Sequence, residues 1–254
     1  MNIVELWRYP VKSMQGEQLA QADIGPQGID GDRRRAVVDA KTGVSLSAKR
    51  YADLLHCQAR TVDGDVVIRL PDGSEHPADS ERTADALSEL LDRQVVVRRA
   101  GSDHTVRHEF PTELAVGEGD PFLWEPGLEG FFDRAPLHLI TTSTIDALSR
   151  AKTNSTFDRA RFRPNILVDT DEQGFIENDW VGHELRLGAV PCHVLDRKPR
   201  CVMTTRPQGG LAADREIIRT IIKANEGNAG IELRALADGV LHAGDGVGLA
   251  ARPA

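Results

Sequence analysis

Short runs rich in Val, Ile or Leu, bounded by Gly, Pro or Asp, constrain the fold of this chain more than any other feature. The runs are Asn2–Trp7, Arg35–Asp39, Val66–Leu70, Val95–Arg98, Asn165–Val168, Glu184–Leu187 and Val190–Leu195. Such runs are typical of strands. Gly188-Ala189 separates the last two and predicts a two-residue hairpin, which favours antiparallel sheet.

Only three segments have helical patterns. Ser80 can cap one helix, and Ser143 resembles the first residue of a capping box that opens a second helix through Lys152. The third helix is predicted over Asp214–Asn225. Its apolar stripe would contain Ile217, Ile218, Ile221 and Ile222. A doubly wound parallel sheet needs a helix after nearly every strand, so we predict a mainly β fold with a few helices and a β-barrel architecture.

Charge and cysteine content exclude several classes of protein. A formal net charge of −8 weighs against a general nucleic-acid binder. No segment approaches the roughly 20 apolar residues of a membrane span, and charged residues interrupt Met1–Met14, so we expect neither a membrane anchor nor an export signal. The cysteines, Cys57, Cys192 and Cys201, lack paired spacing, which fits a cytoplasmic protein without a disulfide framework.

Cys201 is the strongest candidate for chemistry. Arg197, Lys198, Arg200 and Arg206 lie within five residues of it. Nearby positive charge favours the thiolate, which is the form that attacks electrophiles and binds metals. A free cysteine is also commonly a small buried residue of the core, and the pattern alone leaves both interpretations open.

A second basic segment, Tyr9–Gly16, follows the first predicted strand. Lys12 and Ser13 could bind phosphate, and Gly16 would let the backbone approach a ligand closely. The alternative is an edge strand that ends in a turn with a solvated lysine. Arg33 and Lys49 add charge in the same half, and most such residues are expected to face water.

The third basic segment runs from Arg161 to Asp169. Pro164 cannot donate a ladder hydrogen bond, so we expect this strand to start at a sheet edge or opening, with Arg163 and Asn165 available to a ligand. A structural pair between Arg163 and a carboxylate is equally admissible. Thr141 and Thr142 lie at the start of a predicted helix, where their hydroxyls could bind an anion. Ordinary capping of the helix is the alternative.

Five short motifs occur in this chain, and although each alone is common, their order and spacing together are specific to one protein family. They are Tyr9–Gly16, Gly31–Arg33, Phe162–Ile166, Trp180–Gly188 and Arg200–Thr205. Together they resemble the MOSC family, relatives of the molybdenum cofactor sulfurase C-terminal domain, and in particular its amidoxime-reducing branch. Strand-like periodicity fades across the polar stretch Ala100–Asp120, which predicts a domain boundary near residue 103. The resemblance then implies an N-terminal β-barrel-like domain over residues 1–103 and a cofactor-binding MOSC β-barrel domain over residues 104–254.

The resemblance also implies residue roles. Cys201 matches the cysteine that ligates molybdenum, and the positions that match the grip on a molybdenum-molybdopterin cofactor are Lys12, Ser13, Arg33, Thr141, Thr142, Arg163, Asn165 and Arg200. It implies a reductase of N-hydroxylated or other N-oxygenated small compounds. No ferredoxin-like extension follows, so we expect an external electron donor such as a ferredoxin or flavin reductase. A sulfur (persulfide) or cofactor carrier without redox turnover is the alternative.

Overall fold

The computed structural model describes residues 1–101, 107–110, 122–124 and 130–250, with only the backbone described for 107–110 and 122–124. The predicted domain boundary at residue 103 lies outside the described residues and stays a prediction. Within the described ranges, no helix has both the length and the apolar character needed to cross a membrane.

Strands dominate the described chain. They are β1 (Asn2–Arg8), β2 (Glu17–Leu19), β3 (Gln21–Gly25), β4 (Gly28–Ile29), β5 (Arg35–Asp39), β6 (Val44–Ser45), β7 (Gln58–Val62), β8 (Asp65–Arg69), β9 (Glu75–Pro77), β10 (Val95–Arg99), β11 (Arg107–Phe110), β12 (Phe122–Trp124), β13 (Leu137–Thr141), β14 (Ile166–Asp169), β15 (Glu184–Leu187), β16 (Val190–Pro199), β17 (Asn228–Ala235), β18 (Gly239–His242) and β19 (Val247–Leu249).

Helices are fewer, and they are short. The described α-helices are α1 (Glu81–Leu91), α2 (Thr142–Ala151), α3 (Arg159–Phe162) and α4 (Glu216–Asn225), and 3-10 helices cover Ala52–His56, Ile176–Trp180 and Val202–Thr205. The prediction of a mainly β fold with a few helices is confirmed.

The chain divides into two compact units whose segments are separate in sequence. Unit 1 comprises Met1–Arg8, Gln18–Asp30 and Ala135–Ala254, and unit 2 comprises Tyr9–Glu17 and Gly31–Arg134. The first strand therefore folds with the C-terminal half of the chain.

Unit 1 is built on an eight-stranded sheet with the order β19-β15-β16-β17-β13-β14-β1-β2. The neighbours β13 and β14 are parallel, whereas β16 pairs antiparallel with both β15 and β17. Asn2 bridges to Gly246, and the N–H of Ile3 donates to the carbonyl of Asp245 at 2.8 Å. These bonds join β1 to the segment just before β19. Ile3 and Leu6 are both fully buried in the core although they are three positions apart, because the register of β1 shifts between Ile3 and Glu5 and resets the alternation of its side chains.

Unit 2 contains a five-stranded sheet, β10-β5-β6-β11-β12, and a three-stranded sheet, β7-β8-β9. As predicted, Ser80 caps α1, because its hydroxyl accepts the N–H of Thr83 at 3.2 Å. Leu87 and Leu91 lie on the buried face of that helix.

Two helix predictions are wrong in detail. Thr141 rather than Ser143 caps α2, because the Thr141 hydroxyl accepts the N–H of Thr144 at 3.1 Å, while the Ser143 hydroxyl donates to the Gly174 carbonyl. In α4 the apolar stripe is narrower than predicted. Ile222 is 58% exposed.

The strand after Pro164 was expected to start at a sheet edge or beside an opening, and the edge position is wrong. β14 lies between β13 and β1, inside the sheet. It begins at Ile166, beyond Pro164, so the missing proline N–H removes no ladder bond. The preceding residues form α3, whose cap is Asp158, with its carboxylate accepting the N–H of Ala160 at 2.7 Å.

Candidate functional site

Cys201 begins a tight turn in unit 1, here called the Cys201 turn (Cys201–Thr205). Its carbonyl accepts hydrogen bonds from the N–H and the hydroxyl of Thr204, at 3.1 and 3.0 Å. The hydroxyl of Thr205 donates to the carbonyl of Val202 at 2.7 Å. Both threonines of the Arg-Cys-x-x-Thr-Thr motif therefore bind backbone of the turn, and they fix the segment that carries the sulfur.

Arg161 anchors this turn from α3. Its side chain is buried, and its guanidinium donates to the carbonyls of Thr204 at 3.1 Å, Ala212 at 2.8 Å and Thr156 at 2.8 Å. A planar guanidinium offers five donors in a fixed geometry, so a single side chain can hold several carbonyls at once. No sequence pattern predicts this role for Arg161.

The three cysteines have different environments. Cys57 and Cys192 are buried, whereas Cys201 is partly exposed. Burial raises the pKa of the Cys57 thiol to about 12, and Asp53 adds to the effect. Burial alone raises the pKa of Cys192 to about 12. These two thiols are therefore poor ligands and nucleophiles at neutral pH, and Cys201 is the accessible sulfur.

Two of the cations near Cys201 in sequence are bound to carboxylates. Arg197 pairs with Glu226 at 2.9 Å, and Lys198 pairs with the buried Glu232 at 2.7 Å. Sequence proximity therefore overstates the positive charge at the sulfur.

Arg200 is a half-buried cation beside Cys201 in sequence. It donates to the carbonyl of Phe162 at 2.7 Å, stacks over the Phe162 ring at 5.4 Å, and lies 3.5 Å from Nε2 of the buried His138. The contacts of Arg200 with Phe162 and those of Arg161 with the turn bring the segment Arg161–Asn165 together with the Cys201 turn.

Asn165 links two strands through its side-chain amide. The Oδ1 atom accepts the N–H of His138 at 3.2 Å, and Nδ2 donates to the carbonyl of Trp7 at 3.2 Å. The nearby Arg163 is buried and has a left-handed backbone with φ of 52°. The described contacts thus give Asn165 a structural role, and cofactor binding by both residues stays a prediction.

Thr141 and Thr142 bind carboxylates at the start of α2. The Thr141 hydroxyl donates to the buried Glu177 at 2.8 Å, and the Thr142 hydroxyl donates to Asp169 at 2.9 Å. Burial raises the pKa of Glu177, although hydrogen bonds to its carboxylate oppose the shift. Helix capping accounts for Thr141 in the structure, and its predicted role in binding the cofactor is untested.

In unit 2, Lys12 and Lys49 share one carboxylate. Nζ of Lys12 lies 2.5 Å from Oδ1 of Asp133, and Nζ of Lys49 lies 3.1 Å from Oδ2. Both lysines are buried. Burial lowers the pKa of Lys12, Asp133 opposes this shift, and the charges of Lys49 and Arg33 lower the pKa further. Most charged residues of this half were expected to face water and one of them to point inward, and the sequence did not indicate that Lys49 would be buried.

Ser13 lies in the turn Val11–Met14, which is closed by the N–H of Met14 donating to the Val11 carbonyl at 3.3 Å. Its backbone is left-handed, with φ of 69°, and its hydroxyl accepts the N–H of Ala48 at 3.0 Å. Ser13 is therefore part of the packing of unit 2.

Arg33 also has a left-handed backbone, with φ of 50°. Its guanidinium pairs with the buried Asp32 and lies over the Tyr9 ring at 5.0 Å. Lys12, Ser13 and Arg33 belong to unit 2, and their approach to the sulfur of unit 1 stays a prediction.

Two protein families match this chain one after the other. Residues 1–104 match the MOSC N-terminal beta barrel domain, and residues 126–248 match the MOSC domain. The chain is also similar to the protein named molybdenum cofactor sulfurase from Danio rerio, with 25% identity over 267 residues. That alignment covers 89% of this chain and 31% of the relative, so the chain spans less than a third of the relative's length.

The fold of this chain is similar to that of a solved structure. The YuaD protein from Bacillus subtilis superposes with a TM-score of 0.51 at 9% identity, covering 97% of this chain and 93% of that chain. YiiM from Geobacillus stearothermophilus matches with a TM-score of 0.35 and 15% identity, covering 46% of this chain and 55% of that chain.

Proposed function

Because this chain belongs to the MOSC family, with a MOSC N-terminal beta barrel domain preceding its MOSC domain, we propose that it is a molybdenum cofactor-dependent reductase of N-hydroxylated or other N-oxygenated small compounds. MOSC domains are associated with molybdenum cofactor binding, and the sulfurase relative supports the same association. The amidoxime-reducing branch is the part of the family whose motifs the chain resembles.

The accessible sulfur of Cys201 is the observation that carries the proposal. The other two cysteines are buried. A thiolate is a soft ligand suited to a metal that is otherwise held by sulfur. The Cys201 turn is fixed by Thr204, Thr205 and Arg161, so the ligand would be positioned before the metal arrives.

The polar residues present fit an anionic cofactor that carries a phosphate. Within unit 1, Arg200 and Arg163 could each supply a charge-assisted hydrogen bond. The resemblance to the family assigns the same role to Lys12, Ser13 and Arg33. When bound, the cofactor supplies the two-electron chemistry that removes oxygen from the substrate. Cys201 would provide its protein ligand, and the cations would hold its charged groups.

Metal analysis tests this proposal directly. The chain, purified from a cofactor-competent host, should contain molybdenum at near-stoichiometric level and reduce an amidoxime or hydroxylamine with an artificial electron donor. Cys201→Ala should abolish turnover and lower the molybdenum content, whereas Cys57→Ala, its matched control, should retain both. Equal activity in the two variants contradicts the assignment.

A sulfur or cofactor carrier is the second candidate, because the accessible Cys201 thiol could also bear a persulfide. Absence of molybdenum together with cyanide-labile sulfur on Cys201 would favour the carrier. For the reductase, we propose that electrons come from an external donor such as a ferredoxin or flavin reductase. A cytoplasmic location remains the expectation from the sequence.

A further inference from the structure

Helix α4 of unit 1 packs against the Cys201 turn and is tied to it at both ends. At the start of the helix, the N–H of Asp214 donates to the carbonyl of Thr205 at 2.9 Å. At its end, the carbonyl of Gly227 accepts the N–H of Arg200, the residue before Cys201, at 2.8 Å. The helix therefore runs alongside the segment that carries the accessible sulfur.

The solvent side of α4 carries a row of positive charge, here called the basic row (Arg215, Arg219 and Lys223). These exposed residues are four positions apart, so they lie on one side of the helix, where like charges destabilise it. Within the described part of the chain, only Arg219 of the row pairs with a carboxylate, that of Glu216. Glu226 pairs with an arginine outside the row. The row therefore keeps an excess of positive charge.

The first residue of the basic row stands where a cation is least favourable to the helix. Arg215 is the N-cap residue of α4, and its side chain makes no capping hydrogen bond. The N-terminus of a helix carries partial positive charge, so an acidic side chain stabilises it and a basic one destabilises it. Helix stability therefore does not explain Arg215, whereas binding of an acidic partner does.

Exposed apolar side chains lie in the same part of unit 1. Ile222 is 58% exposed, and its side chain lies beside Gly227, whose carbonyl binds the backbone of Arg200. Val202, within the Cys201 turn, is 41% exposed. Apolar side chains bordered by charged ones are typical of surfaces that bind proteins. The formal net charge of −8 weighs against nucleic acid as the occupant.

We propose that the basic row together with Ile222 and Val202, here called the α4 surface, is the docking site of the electron donor, a small redox protein with an acidic surface. Charge complementarity favours this occupant, because a chain of net charge −8 keeps an excess of cations on the helix beside its candidate metal ligand. The inference rests on the proposed function, since it places the partner that delivers the electrons.

The electron balance of the proposed reaction favours an interface of this kind. A substrate R–NH–OH takes up two electrons and two protons and gives R–NH2 and water. The N–O bond breaks, one proton forms an N–H bond, and the other leaves with the hydroxyl as water. A one-electron donor must therefore dock and leave twice in each turnover. Small interfaces steered by charge associate fast and are transient, which meets this requirement.

A plant-type [2Fe–2S] ferredoxin with an acidic surface is the probe for the α4 surface. Calorimetry measures its Kd for the full chain at low and at high salt. Binding should weaken as salt rises, because the attracting charges are exposed. Arg215→Glu/Lys223→Glu should raise the Kd about tenfold or more. The control Lys41→Glu/Arg69→Glu changes the net charge equally at exposed positions of unit 2 and should bind as the wild type does.

Two single variants separate docking from folding. Arg215→Glu should weaken ferredoxin binding without lowering the Tm, because a carboxylate suits the start of the helix better than a cation does. Ile222→Ser should also weaken binding with little change in Tm, and Val240→Ser, at a position 41% exposed, is its matched control. If each loss of binding came with a matching fall in Tm, these residues would serve folding and the inference would be overturned.

Turnover shows whether the docked ferredoxin delivers electrons. With ferredoxin kept reduced by its reductase, Arg215→Glu/Lys223→Glu should lower kcat/KM for ferredoxin about tenfold or more, whereas turnover with reduced methyl viologen should not fall. Equal ferredoxin kinetics in this variant and in the unit 2 control overturn the inference. Failure of the wild type to bind ferredoxin also overturns it.

The remaining outcomes separate this inference from the proposed function. Binding to phosphatidylglycerol vesicles that is lost in Arg215→Glu/Lys223→Glu, without binding to ferredoxin, would assign the α4 surface to a membrane and overturn the inference. A chain that binds ferredoxin at the α4 surface but contains no molybdenum contradicts the proposed function alone. A chain that contains molybdenum and turns over with methyl viologen, but does not bind ferredoxin, contradicts this inference alone.

Discussion

The Cys201 turn of unit 1 and the two buried lysines of unit 2, Lys12 and Lys49, are held by opposite kinds of contact. Around Cys201, side chains bind backbone carbonyls, with Thr204, Thr205 and Arg161 as donors. Lys12 and Lys49, in contrast, both bind the charged side chain of Asp133. The first arrangement fixes a position, and the second balances charge.

This difference decides how each region should respond to change. Hydrogen bonds to backbone carbonyls are lost by deletion of the donor and depend little on salt or on bound anions. Contacts among charged groups change with every charge added or removed nearby. Substitutions in the Cys201 turn should therefore alter stability and geometry, whereas substitutions around Lys12 and Lys49 should alter the response to anions.

The largest expected effect concerns thiol reactivity in the native chain. At pH 8, iodoacetamide should label Cys201 while Cys57 and Cys192 react slower by orders of magnitude, because burial raises the pKa of both thiols to about 12. Mass spectrometry of tryptic peptides measures each rate. Cys201→Ala should remove most of the fast labelling. Comparable rates at all three sites would end the distinction between an accessible sulfur and two buried ones.

Removing the anchor of the turn should have the next largest effect. Arg161→Met should lower the free energy of unfolding by about 3 kcal/mol, because several buried carbonyls lose their donor together. It should also speed hydrogen exchange in the turn. Arg219→Met removes an exposed pair with Glu216 and should cost less than about 1 kcal/mol. Chemical denaturation that gives equal losses would refute the anchoring role.

The strands were the most predictable part of the fold. Runs such as Arg35–Asp39 and Glu184–Leu187 have the bounds of β5 and β15, because their apolar content and flanking turn residues encode strands locally. Pairing partners are not encoded locally. β18 pairs with β3, far away in sequence, and nothing within Gly239–His242 indicates that partner.

Within the candidate site, the sequence identified the reactive residue but not the side chains that contact its neighbouring residues in the folded chain. Cys201 was singled out by adjacent cations, yet Arg197 and Lys198 pair with Glu226 and Glu232. Those carboxylates lie about 30 positions downstream in the sequence, beyond the reach of any local pattern. The burial of Arg161 and Lys49 could not be predicted from the sequence either. A basic residue in a basic segment is expected to face water, and only tertiary packing buries it.

The third largest effect is a pH dependence of stability that comes from Glu177, a buried carboxyl group in unit 1. Burial raises the pKa of this carboxyl above its ordinary 4.5, so the folded chain binds the proton more tightly than the unfolded chain does. Above pH 4.5 the unfolded chain loses this proton while the folded chain still holds it. The free energy of unfolding therefore falls as pH rises, by at most about 1.4 kcal/mol per pH unit. Glu177→Gln should flatten this decline, which begins above pH 4.5, in urea unfolding measured over a series of pH values. Glu172→Gln, at an exposed position, should keep the wild-type slope.

The smallest expected effect is the difference in stability between an alanine and a glycine at position 13, which should have the opposite sign inside a helix. The φ of 69° at Ser13 disfavours alanine relative to glycine, so Ser13→Ala should be less stable than Ser13→Gly by about 1 kcal/mol. At Ser149, inside α2, the order should reverse by a similar amount, about 1 kcal/mol, because glycine destabilises helices. Both Ser13 variants lose the hydroxyl that binds Ala48, so the loss of this hydrogen bond is common to them and cancels in the comparison. Denaturant unfolding of the four variants measures both differences. A Ser13→Ala variant that is more stable than Ser13→Gly would contradict the backbone strain at Ser13.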